Sequence, residues 1–224
     1  MAWQGRGGHM SRLSKLLIMS AEGRKEIGTE IQGGYIGAYV SYDGGATVYA
    51  LIVAPVSAER GLFRHQYQSA GLSSMTDGWA NRLVAGTTTG YASAYCMAYR
   101  GGGFSDWYFA AFHELGAIFE SLNPVPFCYT YRTVSTIAIP VADQVVPQTF
   151  IELFRKGGAQ AFGSAPTTIY GTSTGGEHFG GQDTRYYASI YFGHENMNNG
   201  NVYVQFNDRV STVRPIRKVL ASTL

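Results

Sequence analysis

The sequence predicts an α+β fold, with strands first, helices in the middle and strands again at the end. Strand-like runs near the N-terminus flank an Asp-Gly-Gly turn, apolar residues between Asp77 and Leu122 recur at helical spacing, and short runs separated by glycine- and asparagine-rich turns fill the last quarter. Composition agrees. Charged residues make up 14% of the 224, aromatics another 14%, and there are 29 glycines and 16 tyrosines. Low charge with many turns and tyrosines suits strands and loops better than a helical bundle.

Residues 1–30 have mixed charge and few aromatics and read as an N-terminal arm, leaving 31–224 as one domain. Arg6, Arg12 and Lys15 make the arm basic. Docking onto a neighbouring subunit and a disordered tail both stay open, with Leu13, Leu16 and Leu17 available for burial. The run Leu16–Met19 is too short for a secretory core, so no signal peptide is expected.

Gly34–Tyr42 and Ala46–Ala54 read as a hairpin across Asp43-Gly44-Gly45, because glycine accepts positive φ. Residues 57–75 read as a polar surface loop. Thr76-Asp77 suits the start of a helix through Trp79, Leu83 and Val84. Helical spacing resumes at Tyr91, Tyr95, Ala98 and Tyr99.

The centre of the chain is Gly101–Leu122: a glycine turn, then Phe104, Trp107, Tyr108 and Phe109, then a helix. Phe112, Leu115, Phe119 and Leu122 share one helical face. Asn123-Pro124 stops that helix, since proline disfavours helical backbone in the residue before it. Core packing is the expected role of Trp79, Phe104, Trp107, Tyr108, Leu115 and Phe119. Glu114 is expected to bond backbone beside the aromatic turn, a structural role.

Pro124, Pro126, Pro140 and Pro147 mark 124–147 as a long loop with strand fragments. Gln148–Lys156 reads as a short helix ended by Gly157-Gly158. The closing strands are expected at Thr168–Thr174, Arg185–Phe192, Val202–Asn207 and Val213–Leu220.

Several chemistries find no support. A net charge of +2 gives no nucleic-acid footprint, and no apolar run is long enough to cross a membrane. Cys96 and Cys128 lack metal-ligand spacing, and a disulfide and two buried thiols both stay open. His113-Glu114 falls on the central helix, where adjacent residues point in different directions and form no dyad, while Glu177-His178 and His194-Glu195 fall in loops, where such histidines are usually just exposed. No nucleophile elbow, phosphate loop or dinucleotide fingerprint occurs. The chain is therefore expected to be no enzyme, with no cofactor and no metal site.

VYALIVAP at Val48–Pro55, TDGWAN at Thr76–Asn81, AYC at Ala94–Cys96 and GGFSDWY at Gly102–Tyr108 occur in that order. They are followed by Glu114-Leu115, GGAQAF at Gly157–Phe162, YGTST at Tyr170–Thr174 and VRPIRKV at Val213–Val219. This series resembles the DUF1566 family, also called the Lcl C-terminal domain, of the C-type-lectin-like superfamily. It departs from that family at Gly171, where a tryptophan is usual, and at Tyr108–Ala111, where a Leu-Pro-Ser type of turn is usual. The resemblance implies short twisted antiparallel sheets with two or three helices. Its glycine-strand and ALIVAP version looks like one common in tailed-phage and prophage proteins, which implies a virion component. The calcium ligands of the superfamily's lectins are not matched, since Phe206-Asn207-Asp208 echoes one element only and calcium needs six or more oxygens. The reactive cysteines of the superfamily's oxidases have no counterpart with an activating base nearby.

What remains is a binding surface on two late loops. Glu177, His178, Gln182, Asp183, His194, Asn196, Asn198 and Asn199 supply polar groups, flanked by Tyr187, Tyr191 and Tyr203. Aromatic faces and planar amides suit sugars and also proteins, while ordinary hydrophilic turns have the same composition. The expected function is a phage tail-fibre, tail-tip or receptor-binding protein for a host surface glycan or protein. Its arm would meet other virion proteins, and it would form a homo-oligomer, a trimer first. A capsid or tail decoration protein without a host ligand is the alternative, and a bacterial surface adhesin a lesser one.

Overall fold

The computed structural model describes residues 17–20, 23–63, 74–82, 91–125, 127–129, 144–163, 168–175, 186–190, 202–206 and 211–224. The chain opens with β1 (Leu17–Met19), β2 (Glu30–Ile31), β3 (Gly34–Ser41), β4 (Tyr49–Val53) and β5 (Arg60–Phe63). Helices α1 (Gly78–Arg82), α2 (Ala92–Ala98) and α3 (Phe112–Leu122) follow. The strands then resume with β6 (Phe127–Tyr129), β7 (Gln144–Val146), β8 (Tyr170–Gly175), β9 (Tyr186–Ile190), β10 (Val202–Phe206), β11 (Ser211–Val213) and β12 (Ile216–Leu220). Helices and mainly antiparallel sheets together make this an α+β fold.

One sheet runs β1–β3–β4–β12, with β2 also paired to β3, and all its pairs are antiparallel. The β3–β4 turn follows the sequence reading. Gly44 and Gly45 have φ of 75° and 102°, and Asp43 Oδ1 accepts from Ser41 Oγ (2.7 Å) and the Thr47 N–H (2.8 Å). Every residue of β3 is buried, so its two faces feed two cores. A bulge between Ile36 and Ala38 shifts the alternation. It puts Tyr35, Ala38 and Val40 in the core filled by α3, and Ile36 and Tyr39 in the one closed by Trp107.

The α3 reading holds: Phe112, Leu115, Phe119 and Leu122 are buried in one cluster. On the opposite face, Trp107 is fully buried and donates Nε1–H to the Gly101 carbonyl (3.1 Å). Tyr99 meets the indole edge-on at 5.0 Å. Phe104 packs at the margin of that core.

The second sheet runs β10–β9–β8–β11–β5. Sequence reasoning expected one strand over Val213–Leu220. The structure breaks it at Arg214-Pro215 and gives its halves to different sheets. Proline cannot donate to a ladder, and there the chain crosses from β11 to β12. Tyr108 and Ile216 then exchange both backbone hydrogen bonds (2.8 and 3.0 Å), pinning the aromatic turn to the edge of β12.

Other expectations change. The 57–75 loop contains strand β5, paired with β11. Gln148–Lys156 is no α-helix, only a single turn at Glu152–Phe154. Its donors go elsewhere: the Thr149 N–H bonds the Asn123 carbonyl, and the Lys156 N–H and Gln148 Nε2 bond the Pro124 carbonyl. Strands β6 and β7 are the fragments expected within 124–147. The N-terminal arm is built into the first sheet from β1 onward, with Ile27 packed against both cores.

Candidate functional site

Of the residues expected to bind a ligand, Glu177, His178, Gln182, Asp183, Tyr191, His194, Asn196, Asn198 and Asn199 lie outside the described residues. Their strands are described. β8, β9 and β10 form an antiparallel meander, with Gly175 opposite Tyr187, Gln205 opposite Tyr187, Tyr203 opposite Ser189 and Val202 opposite Ile190. Tyr187 and Tyr203 therefore hold register positions on one sheet face. The loop 176–185 is rooted where β8 ends, and 191–201 at the other end of β9. Antiparallel connections alternate ends, so the two loop roots are separated by the length of β9, roughly 13 Å at the usual rise.

The first root carries a dense polar network centred on Glu114, which is fully buried. Its Oε2 accepts from the N–H of Ala111 (2.8 Å) and of Gly78 (3.0 Å). Its Oε1 accepts from the hydroxyls of Tyr42 (2.6 Å) and Tyr108 (2.8 Å). One carboxylate thus caps α3, meets the start of α1 and ties in the end of β3 and the aromatic turn. Two of the open donors of α3 are also taken: the Phe112 N–H bonds Thr174 Oγ1 (2.9 Å) and the His113 N–H the Met75 carbonyl (2.9 Å). The structural role expected of Glu114 is the one observed.

Asn81, on α1, joins this network to β8. Its Nδ2 donates to the Ser74 carbonyl (2.8 Å) and Ser173 Oγ (2.8 Å), and its Oδ1 accepts from the Ser74 N–H. Ser173 N–H bonds the Ala110 carbonyl (2.8 Å). Asp77 Oδ1 accepts the N–H groups of Trp79 and Ala80 and pairs with Lys218 Nζ at 3.0 Å. The Lys218 ammonium also lies 4.4 Å from the Tyr42 ring centroid.

Trp79 stands at the rim of this cluster. Its indole meets the Tyr108 ring edge-on at 5.8 Å, and the Arg82 guanidinium lies 3.5 Å from the indole centroid. The second root is tied differently: Tyr170, which opens β8, donates its hydroxyl to Glu59 (2.7 Å). Arg214 lies 4.0 Å from that carboxylate and bonds the Ala54 and Gln160 carbonyls.

Electrostatically the network is closed. Burial pushes the Glu114 carboxyl above the usual range, while its hydrogen bonds from Tyr42, Ala111 and Tyr108 act the other way. Burial also raises both tyrosine hydroxyls, with the Glu114 charge adding to the effect. Burial lowers the pKa of His113 and raises that of the free thiol Cys96. Among the described residues no group of three or more His, Cys, Asp or Glu is arranged to hold a metal.

Asn81, Thr174, Arg82 and the basic residues of VRPIRKV were not singled out as individual residues from sequence. Each lies in or beside a motif that carries the family resemblance, which was the available signal. No protein-family model, curated protein or solved structure matches the chain.

Proposed function

We propose that the protein is a non-enzymatic bacteriophage virion component with a C-type-lectin-like domain. It sits at a tail fibre or tail tip, where late loops meet a host surface glycan or protein. The observation that carries this reading is the use of the buried polar groups as scaffold. Glu114, Ser173 and Thr174 bond the backbone of Ala110, Ala111 and Phe112, and Asn81 bonds Ser74 and Ser173, around the strand that enters loop 176–185. A framework fixed at the end of the strand gives the polar and aromatic side chains that follow a rigid anchor, and a rigid anchor reduces the ordering cost of binding.

The test is adsorption of the purified full chain to a panel of bacterial strains. Gln182→Ala with Asp183→Ala alters one loop, and Tyr191→Ala with Asn198→Ala the other. A loss of adsorption in either pair, with the thermal melt unchanged, supports the reading. No adsorption by the wild type, together with high-copy decoration of the shell or tail tube, overturns it in favour of a decoration protein.

A further inference from the structure

Arg82 is the last residue of α1, and its guanidinium lies 3.5 Å from the Trp79 ring centroid. That is close contact for a cation over an indole face. The indole is itself held edge-on by Tyr108, which is fully buried and bonded to Glu114. The guanidinium therefore rests at the end of a fixed stack that runs inward to the carboxylate hub.

Arg82 does not behave like the other arginines of the scaffold. Arg217 grips Asp106, and Arg214 bonds two carbonyls beside Glu59. Arg82 makes no hydrogen bond or ion pair with any described residue, and its Nε is buried without a partner. Asp77, the acid just before its helix, is taken by Lys218. Buried polar groups without partners are rare, and a guanidinium fork with open donors matches a planar or tetrahedral oxyanion.

We infer that Arg82, stacked on Trp79 beside the root of loop 176–185, binds the oxyanion of an anionic saccharide, a carboxylate or a phosphate. The inference rests on the host-ligand reading above and names the ligand's chemistry. The stack fixes the fork before the ligand arrives.

The test is NMR of the ¹⁵N-labelled full chain at constant ionic strength, titrated with glucuronate, inorganic phosphate or glucose. The Arg82 Nε–H signal is assigned by its loss in Arg82→Gln. Either anion is expected to shift the Arg82 and tryptophan indole signals saturably, while uncharged glucose does not. The stronger anion names the group. Arg82→Gln abolishes the response without lowering the melting temperature, and Arg82→Lys weakens it roughly tenfold, because an ammonium lacks the fork. Absence of a saturable shift, or the same shift in Arg82→Gln, overturns the inference. So does a shift of the Arg82 signal on Glu177→Gln or Asp183→Asn without added ligand, since the chain's own acid then occupies the fork. Adsorption to cells without any anion response removes this inference and leaves the loop reading in place. Anion response without adsorption supports the Arg82 site and removes the host-ligand reading.

Discussion

The hydroxyl of Tyr42 donates a 2.6 Å hydrogen bond to Glu114, 72 residues further along the chain. Tyr42 lies just past the end of β3, and Glu114 lies in the first turn of α3. The contact thus joins the first sheet to the helix that covers it, and the same carboxylate also holds Tyr108, Ala111 and Gly78. Four donors from four places in the sequence converge on one buried side chain.

Removing that carboxylate should be costly, and replacing it by an amide much less so. Glu114→Ala leaves two backbone N–H groups and two hydroxyls without their acceptor. An unsatisfied buried group costs about 1–3 kcal/mol, so a loss of at least about 3 kcal/mol is expected by denaturant unfolding. In Glu114→Gln the amide oxygen can face the obligate donors of Gly78 and Ala111, while its NH₂ faces hydroxyls that can accept. The amide variant should therefore keep most of the stability. If the two variants lose equal amounts, hydrogen bonding at this site is not what matters.

The same pair gives a pH prediction. Burial raises the Glu114 pKa above its ordinary value of 4.5. A raised acid pKa favours the folded state below 4.5, and that advantage is lost as pH rises through the folded value. Glutamine has no such titration. The melting temperature of wild type relative to Glu114→Gln should thus fall as pH rises above 4.5. Parallel pH profiles for the two proteins would contradict the assignment.

Gly33 and Gly102 touch back to back, both in the left-handed region, at φ 80° and 63°. A Cβ on Gly33 would lie 2.4 Å from the Gly102 nitrogen, which is backbone and cannot swing away. Gly33→Ala should cost about 2–5 kcal/mol, combining left-handed strain with overpacking. Gly103, at φ 81° with nothing within 4 Å of its Cβ position, isolates the first term. Gly103→Ala should cost only about 1–2 kcal/mol. Equal losses in the two melts would show that the close approach carries no weight.

The sequence signalled some parts of this fold and hid others for identifiable reasons. Helix α3 was legible because Phe112, Leu115, Phe119 and Leu122 repeat at helical spacing. Its start was not, because Ala111 has no side-chain acceptor and a partner, Thr174, arrives from 62 residues away. The β11–β12 crossing was hidden because β-branched residues, Thr212 and Val213 before and Ile216 and Val219 after, flank Arg214-Pro215 on both sides. The false helix at Gln148–Lys156 had the right local pattern, but its donors serve the carbonyls of Asn123 and Pro124 instead. The late loops looked like one surface on composition alone. Only strand register separates their roots to opposite ends of β9.

Arg217 offers a measure of how strongly β12 is fixed. Its Nε and one terminal nitrogen contact the two oxygens of Asp106 at 2.5 and 2.9 Å, and its plane lies 3.7 Å from the Phe104 centroid. A lysine supplies charge without the fork or the stacking plane. Arg217→Lys should cost about 1.5–3 kcal/mol, the range for a charged hydrogen bond. A double-mutant cycle with Asp106→Ala should give a coupling of about 0.5–3 kcal/mol. Additive losses would mean that Asp106, whose side chain is 41% exposed, contributes little to holding the arginine.

Cys96 tests the non-enzymatic proposal directly. It is fully buried with Ala92, Phe109 and Val213, and burial pushes its thiol well above the usual range. The thiolate is the reactive form, so both access and ionisation oppose reaction in the folded state. Iodoacetamide at neutral pH should leave Cys96 unmodified in native protein and alkylate it fully in denaturant, as read by peptide mass mapping. Because Val213 closes β11 just before the crossing at Arg214-Pro215, Val213→Ala should open a small cavity beside the sulfur. Alkylation should then accelerate only as far as the loss of stability increases local opening. Rapid labelling of the wild-type thiol under native conditions would instead identify an activated cysteine, and with it a reaction the non-enzymatic reading denies.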